Sequence, residues 1–161
     1  MASALIVRRI RSGEEVEVCR LVERVFGQFV APEFPPEGVE EFLRFADPTA
    51  LARRCAEGQV VLVAEQAGHI VGMLELRGFA HIAMLFVRKP GHGVGRALYE
   101  EAVRVCRASD AATGEIRAHA SRYGVPIYRK LGFQAEGPER TENGITYVPM
   151  VASFETKEGN N

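Results

Sequence analysis

Cysteine is scarce in this sequence, which argues against a fold held together by disulfide bonds. Cys19, Cys55 and Cys106 are odd in number and far apart, and two of them fall within helical patterns. Such spacing supports neither a disulfide framework nor a zinc site, so we expect three small buried side chains and no bound metal. A reducing, cytoplasmic compartment is the matching expectation.

An excess of charge of either sign is also missing. Twenty basic residues against 21 acidic ones leave a formal net charge of −1, which provides no overall field for gripping nucleic acid or an anionic membrane. We therefore expect neither a nucleic-acid partner nor a membrane partner. Any bound anion must be held by a local group of donors.

Long apolar runs are absent as well. The opening "MASALIVRRI" has only a short apolar run followed by arginines, so it predicts no signal peptide, and no stretch is long enough to span a membrane. With 47% hydrophobic residues, the 161-residue chain fits one globular domain. We place that domain at residues 1–155 and a frayed tail at 156–161.

The periodicity of the apolar residues predicts a mixed α/β (α+β) domain. A strand at residues 5–10 precedes a first helix, which prolines end, and a second helical region is divided at Asp47-Pro48. Three β-rich runs at 60–66, 69–77 and 81–87 are typical of an antiparallel meander. The rest predicts a helix, a strand at 115–120, a short helix "YGVPIYRKLG" and two final strands.

The predicted order is therefore β-α-α-β-β-β-α-β-α-β-β, in one mixed, mostly antiparallel sheet flanked by helices. Because a helix connects the strand at 81–87 to the strand at 115–120, we expect those two strands to be parallel neighbours. The last strands offer an exposed edge, which makes a homodimer possible.

Three glycines stand where a strand passes into a helix, in "RKPGHGVGRALYEEA" at residues 88–102. The spacing of Gly91, Gly93 and Gly95 fails as a Walker A loop and as a dinucleotide fingerprint, because Arg96-Ala97 follows Gly95 where those motifs need other residues. The first turn of a helix still presents unpaired N–H groups and partial positive charge, which suit a pyrophosphate. Arg96 adds a full charge. The alternative to a pyrophosphate site is that the three glycines merely permit a tight turn.

Three segments together resemble the GNAT superfamily of acyl-CoA N-acyltransferases: "HIAMLFVRKPGHGVGRAL", "ASRYGVPIYRKLGF" and "GITYVPM". The resemblance covers about residues 60–151. It implies acetyl-CoA as acyl donor, with its pyrophosphate on the backbone amides of six residues: His92, Gly93, Val94, Gly95, Arg96 and Ala97. It also implies a pantetheine arm that pairs like an extra strand alongside Leu85, Phe86 and Val87, where the strand at 81–87 separates from the strand at 115–120.

This sequence departs from the family pattern in two places. Pro90 stands where the family usually has Gln or Arg, which removes one side-chain donor and one backbone N–H, and the loop between Val87 and Gly91 is about two residues shorter than usual. A non-catalytic acyl-CoA binding or sensing domain is therefore the alternative to an enzyme.

Acetyl transfer to an amine requires a base for the amine and an acid for the departing thiolate. By resemblance Tyr128 is the general acid, and a backbone N–H near Leu85 or Phe86 polarises the thioester carbonyl. The base candidates lie on strands near the expected site: Glu75, His81 and also His119. Ser121 is a further candidate, for holding a water or the thiol.

The preferred function is an acetyl-CoA-dependent N-acetyltransferase that acts by direct attack in a ternary complex. The loop "VAPEFPPEG" and the helices around it should select the acceptor, with Glu33, Glu37, Glu40 and Glu41 available to attract a cation. The alternative is that these four residues are an ordinary solvated acidic face. That acceptor is a small-molecule amine or an amine of a protein or peptide. A nucleotide-dependent enzyme is the third possibility, disfavoured by the glycine spacing.

Overall fold

The strands of the chain join into one open sheet in the computed structural model, which describes residues 3–156. The strands are β1 Ile6–Arg9, β2 Val60–Gln66, β3 His69–Arg77, β4 His81–Val87, β5 Glu115–Ala120, β6 Gln134–Ala135, β7 Arg140–Glu142 and β8 Ile145–Ser153. Their order across the sheet is β1-β2-β3-β4-β5-β8-β6, with β7 paired to β8. Only the β4–β5 pairing is parallel among those that the described residues form.

Helices cover both faces of this sheet. They are α1 Glu15–Val25, α2 Pro36–Phe45, α3 Pro48–Ala56, α4 Val94–Ala108 and α5 Val125–Lys130. A π-helical turn at Phe26–Val30 and a 3₁₀ turn at Ala31–Glu33 extend α1. The predicted fold class is confirmed, and the predicted division of the second helical region at Asp47-Pro48 is present as α2 and α3. One difference is that a segment expected to be a turn contains the short strand β7.

Two hydrophobic clusters lie on opposite sides of the sheet. One joins α4 and Tyr128 of α5 to alternate residues of β2, β3, β4, β5 and β8. The other joins α1 and Leu51 of α3 to the remaining side chains of β2, β3 and β4. This division follows from the alternation of side chains along a strand, and it explains why the central strands are buried on both faces.

Gly72 of β3 sets how closely α4 approaches the sheet. A Cβ atom on Gly72 would lie 2.7 Å from Cγ1 of Val94 and 3.0 Å from Cδ1 of Leu98. Because that Cβ is missing, the first turn of α4 packs directly on the strand. The N-terminus of α4 is thereby held beside the end of β4, since Gly72 pairs with Val87.

The parallel pairing of β4 and β5 is confirmed, but it is short. Only His81–Arg117 and Ile82–Ala118 are paired, although β4 continues to Val87. The edge of β4 that faces β5 is consequently unpaired from Ala83 onward. The predicted separation of these two strands is present.

Within residues 3–156, no helix combines the length and the hydropathy needed to cross a bilayer. The end of the predicted tail, residues 157–161, lies outside the described residues. The suggested homodimer along the last strands stays a prediction.

Candidate active site

The glycine turn forms an open surface at the N-terminus of α4. Gly91 and Gly93 have φ values of +84° and +79°, in the left-handed region that favours glycine, and α4 begins at Val94. A Cβ atom on either glycine would meet no atom within 4 Å. The space next to this backbone is therefore free for a ligand.

The first backbone N–H groups of α4 point along the helix axis and have no carbonyl of the helix to donate to. The N–H of Ala97 donates to the carbonyl of Gly93 at 3.0 Å, and this bond is the first of the helix. In the described chain no backbone carbonyl accepts from the N–H groups of Val94, Gly95 and Arg96. Three N–H donors and the positive end of the helix dipole can therefore bind an anion here, whereas the Ala97 amide is already used by the helix.

The Arg96 side chain has a different role from the expected one. Its Nη2 donates to the carbonyl oxygen of Lys130, the last residue of α5, at 2.6 Å. This bond ties the N-terminus of α4 to the C-terminus of α5, where unpaired carbonyls attract a cation. The backbone of Arg96 stays at the turn, but its guanidinium group is turned toward α5.

A cleft of about 330 Å³ opens where β4 and β5 separate. Ala83, Met84, Leu85 and Phe86 of β4 line it, so two of the three residues expected beside a pantetheine arm face the cleft. The third, Val87, is buried and does not line the cleft. An extended chain of amides inserted here would find free backbone groups along β4.

Tyr128 lies at the cleft from the side of α5. Its side chain is 7% exposed, and its ring packs edge-on against Phe133 at 5.1 Å. Burial raises the pKa of the Tyr128 phenol. The Tyr128 hydroxyl makes no hydrogen bond within residues 3–156, and Tyr128 is one of the residues that line the cleft.

Ser121 also lines the cleft, and it accepts hydrogen bonds from the backbone at the start of α5. Its Oγ accepts a hydrogen bond from the N–H of Gly124 at 3.0 Å. The Ser121 carbonyl accepts from the N–H of Val125 at 2.9 Å, so the residue organises the first turn of α5. Ser121 thereby positions the helix that carries Tyr128.

Glu75, one of the base candidates, does not reach the cleft. Its carboxylate is completely buried and accepts hydrogen bonds from Arg54 at 2.7 and 3.1 Å and from Gln59 at 2.8 Å. The Arg54 guanidinium also packs 3.8 Å above the ring centroid of Phe45. These contacts give Glu75 the geometry of a structural ion pair between α3 and β3, rather than that of an accessible base.

His81 and His119 are neighbours, but only His119 lines the cleft. The two rings meet edge-on at 4.8 Å. Burial lowers the pKa of His81 to about 4 and also lowers the pKa of His119. Both imidazoles are therefore neutral at pH 7, and His119 is the one that can accept a proton from a molecule in the cleft.

Two residues that the sequence analysis did not single out complete this end of the cleft. The ring of Tyr147 on β8 stacks on His119 at 4.0 Å, and the Tyr147 hydroxyl donates to a carboxylate oxygen of Glu142 at 2.9 Å. Burial raises the pKa of Tyr147. The signal was available: Asn143-Gly144 between two short alternating runs is typical of a β-hairpin, which brings Glu142 and Tyr147 to the same face.

Of the four acidic residues expected near the acceptor, one lines the cleft. Glu41 of α2 does so, with an exposed ion pair of 3.3 Å to Arg44. Glu33, Glu37 and Glu40 are not among the residues of its wall. In residues 3–156, no group of three or more His, Cys, Asp or Glu side chains has the geometry to hold a metal ion.

The model of the acetyltransferase (GNAT) domain matches residues 30–154. No curated protein matches the chain in sequence. Three solved structures share the fold: a GCN5-related N-acetyltransferase from Rhodopseudomonas palustris, PaiA N-acetyltransferase from Thermoplasma acidophilum in complex with coenzyme A, and the apo form of YjaB from Escherichia coli.

The similarity in fold extends over nearly the whole of each chain. The first structure is 23% identical with a TM-score of 0.80, covering 96% of this chain and 98% of its own. For PaiA the identity is 15%, the TM-score 0.76, and the coverage 94% and 99%. For YjaB the identity is 22%, the TM-score 0.67, and the coverage 95% and 99%.

Proposed function

The chain belongs to the GNAT acetyltransferase family, and we propose that it transfers the acetyl group of acetyl-CoA to a primary amine by direct attack in a ternary complex. The observation that carries the proposal is the continuity between two features. The unpaired edge of β4 leads directly to the free amides at the N-terminus of α4. One ligand with an amide arm and a pyrophosphate matches both.

The residues present fit this cosubstrate. The N–H groups of Val94, Gly95 and Arg96 would hold the pyrophosphate, and the missing side chains of Gly91 and Gly93 leave room for it. Leu85 and Phe86 would lie beside the pantetheine arm. When bound, acetyl-CoA supplies an activated acetyl group as a thioester. Pro90 is exposed and outside the cleft wall, so its missing N–H leaves the three helix amides intact.

We assign the two proton transfers of the reaction, from the amine and to the departing thiolate, to His119 and Tyr128. Attack by the amine nitrogen forms the C–N bond, and the C–S bond then breaks. The lowered pKa of His119 keeps its imidazole neutral at pH 7, so it can accept the amine proton directly or through a water. Of the three base candidates, Glu75, His81 and His119, we therefore propose His119.

Tyr128 would donate a proton to the departing thiolate. The raised pKa of Tyr128 keeps the phenol protonated at neutral pH. Donation to a thiolate with a pKa of about 8.5 is unfavourable in solution, so it requires that the two groups be held in hydrogen-bond contact. The phenol is then reprotonated from the solvent, and the overall reaction is balanced by the proton released from the amine.

The first experiment is a thermal-shift titration with acetyl-CoA, CoA, ATP and NAD in parallel. At one hundred times the Kd, a ligand stabilises the fold by about 2.7 kcal/mol, which raises the Tm by several degrees. We expect the two CoA species alone to do this, followed by amine-dependent release of thiol from acetyl-CoA. Binding of CoA without thiol release for any amine would favour the non-catalytic alternative, and a response to ATP or NAD alone would overturn the proposal.

A further inference from the structure

The end of the cleft nearest α1 and α2 is a continuous wall of phenylalanine rings. Phe26 stacks on Phe42 at 4.0 Å and meets Phe34 edge-on at 5.7 Å, and Phe42 meets Phe86 of β4 at 5.7 Å. Phe45 completes the wall. Rings packed against one another in this way present a rigid apolar surface, whose loss of entropy on binding a flat ligand is small.

The π-helical turn after α1 contributes one ring to this wall. Phe26 and Val30, the first and last residues of the turn, both line the cleft. Phe29 in the same turn stacks on Tyr123 at 4.7 Å, with an angle of 6° between the rings. This contact joins the helical wall to the loop before α5.

The loop before α5, α5 itself and β8 add further apolar side chains to the lining of the cleft: Tyr123, Ile127, Ile145 and Tyr147. Of the residues around the cleft, only Glu41 and Glu142 carry a negative charge, and both are exposed side chains at its rim. A polyamine with several ammonium groups would therefore find carboxylates for two of them at most, and the remaining charge would be desolvated without a counter-charge.

A contact between two glycines bridges this end of the cleft. Gly38 of α2 lies so close to Gly144 in the β7–β8 turn that a Cβ atom on Gly144 would be 2.8 Å from the Gly38 nitrogen. The neighbours of these glycines, Glu41 and Phe42 on one side and Asn143 and Ile145 on the other, line the cleft. A cleft bridged in this way accommodates a small molecule better than an extended polypeptide.

From these features we infer that the acceptor is a small primary amine bearing an aryl or branched alkyl group. The inference rests on the proposed acetyl transfer and names the substrate class of that site. The apolar group packs on the Phe26–Phe42 wall, and the amine points toward His119 and the β4 edge. Glu142 and Glu41 at the rim attract the ammonium form before it loses its proton.

The test compares four amines at saturating acetyl-CoA: 2-phenylethylamine, isoamylamine, spermidine and a lysine-containing peptide. Thiol release gives kcat/KM, and mass spectrometry identifies the acetylated product. We expect 2-phenylethylamine and isoamylamine to exceed spermidine and the peptide at least tenfold in kcat/KM. Equal or higher values for spermidine or the peptide would overturn the inference while leaving the acetyl transfer intact.

Binding is measured separately, so that the two proposals fail in different ways. The Tm of the CoA-saturated protein is recorded with and without each amine, which requires no turnover. If CoA binds but 2-phenylethylamine and isoamylamine neither raise this Tm nor are acetylated, the substrate class is wrong. If CoA itself does not bind, or no amine is acetylated, the proposed function is wrong.

Variants of Phe42 test whether the phenylalanine wall causes the preference for amines that bear an apolar group. Phe42→Ala should raise KM for 2-phenylethylamine about tenfold and change KM for methylamine less than twofold, because methylamine does not reach the ring. Phe42→Leu, which keeps an apolar side chain, should recover most of the affinity. Val16→Ala, at a 49% exposed position on α1, serves as the matched control. Equal effects of Phe42→Ala on both amines would contradict the inference.

Discussion

Arg54 binds both carboxylate oxygens of Glu75, through Nε at 2.7 Å and through Nη2 at 3.1 Å. The pair connects α3 to the middle of β3, and the Glu75 side chain has no exposure to solvent. In sequence Glu75 resembles a strand carboxylate available for catalysis. In the fold it is an ion pair whose partner lies 21 residues earlier in the chain.

Removal of Arg54 should therefore destabilise the protein. Arg54→Ala leaves the buried Glu75 carboxylate without its counter-charge, for which we expect a loss of about 3 kcal/mol in the free energy of unfolding. For a chain of this length that corresponds to a fall of about 6–12 °C in Tm. The control is Arg104→Ala, which removes an exposed ion pair with Glu101 and should change Tm very little. Equal Tm values for the two variants would show that the buried pair is not stabilising.

Gly95 provides a clean test of the anion site at α4. A Cβ atom here would meet only Cγ1 of Val87, at 3.8 Å, and the φ angle of Gly95 is not positive, so a side chain causes no strain. We expect Gly95→Glu to fold normally but to lose the stabilisation by CoA, because its carboxylate repels the pyrophosphate. Gly95→Ala should retain most of that stabilisation. The measurement is the Tm with and without CoA, and unchanged stabilisation in Gly95→Glu would remove the helix terminus from the site.

Tyr128 and Tyr99 form a matched pair for testing the general acid. Both are buried tyrosines that pack edge-on against Phe133, at 5.1 and 5.3 Å, but only Tyr128 lines the cleft. Tyr128→Phe should lower kcat by about 10²–10⁴-fold with little change in CoA binding. Tyr99→Phe should leave kcat near the unmodified value. Similar kcat values for both variants would show that the Tyr128 hydroxyl is not the acid.

His81 should make the protein less stable in acid. Burial lowers its folded pKa to about 4, whereas an unfolded histidine has a pKa of about 6.5. Between these values the unfolded chain binds a proton that the folded chain does not, so the free energy of unfolding decreases as the pH falls from 6.5 toward 4. His81→Gln should reduce this decrease. Urea unfolding at pH 7.5 and pH 5 measures the free energy of unfolding of the unmodified protein and of His81→Gln. An equal loss between the two pH values in both proteins would contradict the assignment to His81.

The glycine turn shows what can be predicted from local sequence. Gly91 and Gly93 adopt positive φ because of where they stand between a strand and a helix, and that requirement is visible in the sequence. The proton acceptor that we propose, His119, was harder to predict. Glu75, His81 and His119 all lie on strands of the same sheet, and only the register and the neighbouring side chains decide which of them faces the cleft.

Local patterns in the sequence were enough to predict the order of strands and helices apart from β7, the parallel pairing of β4 and β5 and the position of the glycine turn. Each follows from periodicity and glycine placement over short distances along the chain. Three features are visible only in the folded chain: Arg54 neutralises Glu75, Tyr147 and Glu142 join His119, and phenylalanines from the π-helical turn, α2 and β4 form one wall. Those contacts bring together residues far apart in the chain, and packing, which depends on the whole fold, selects them.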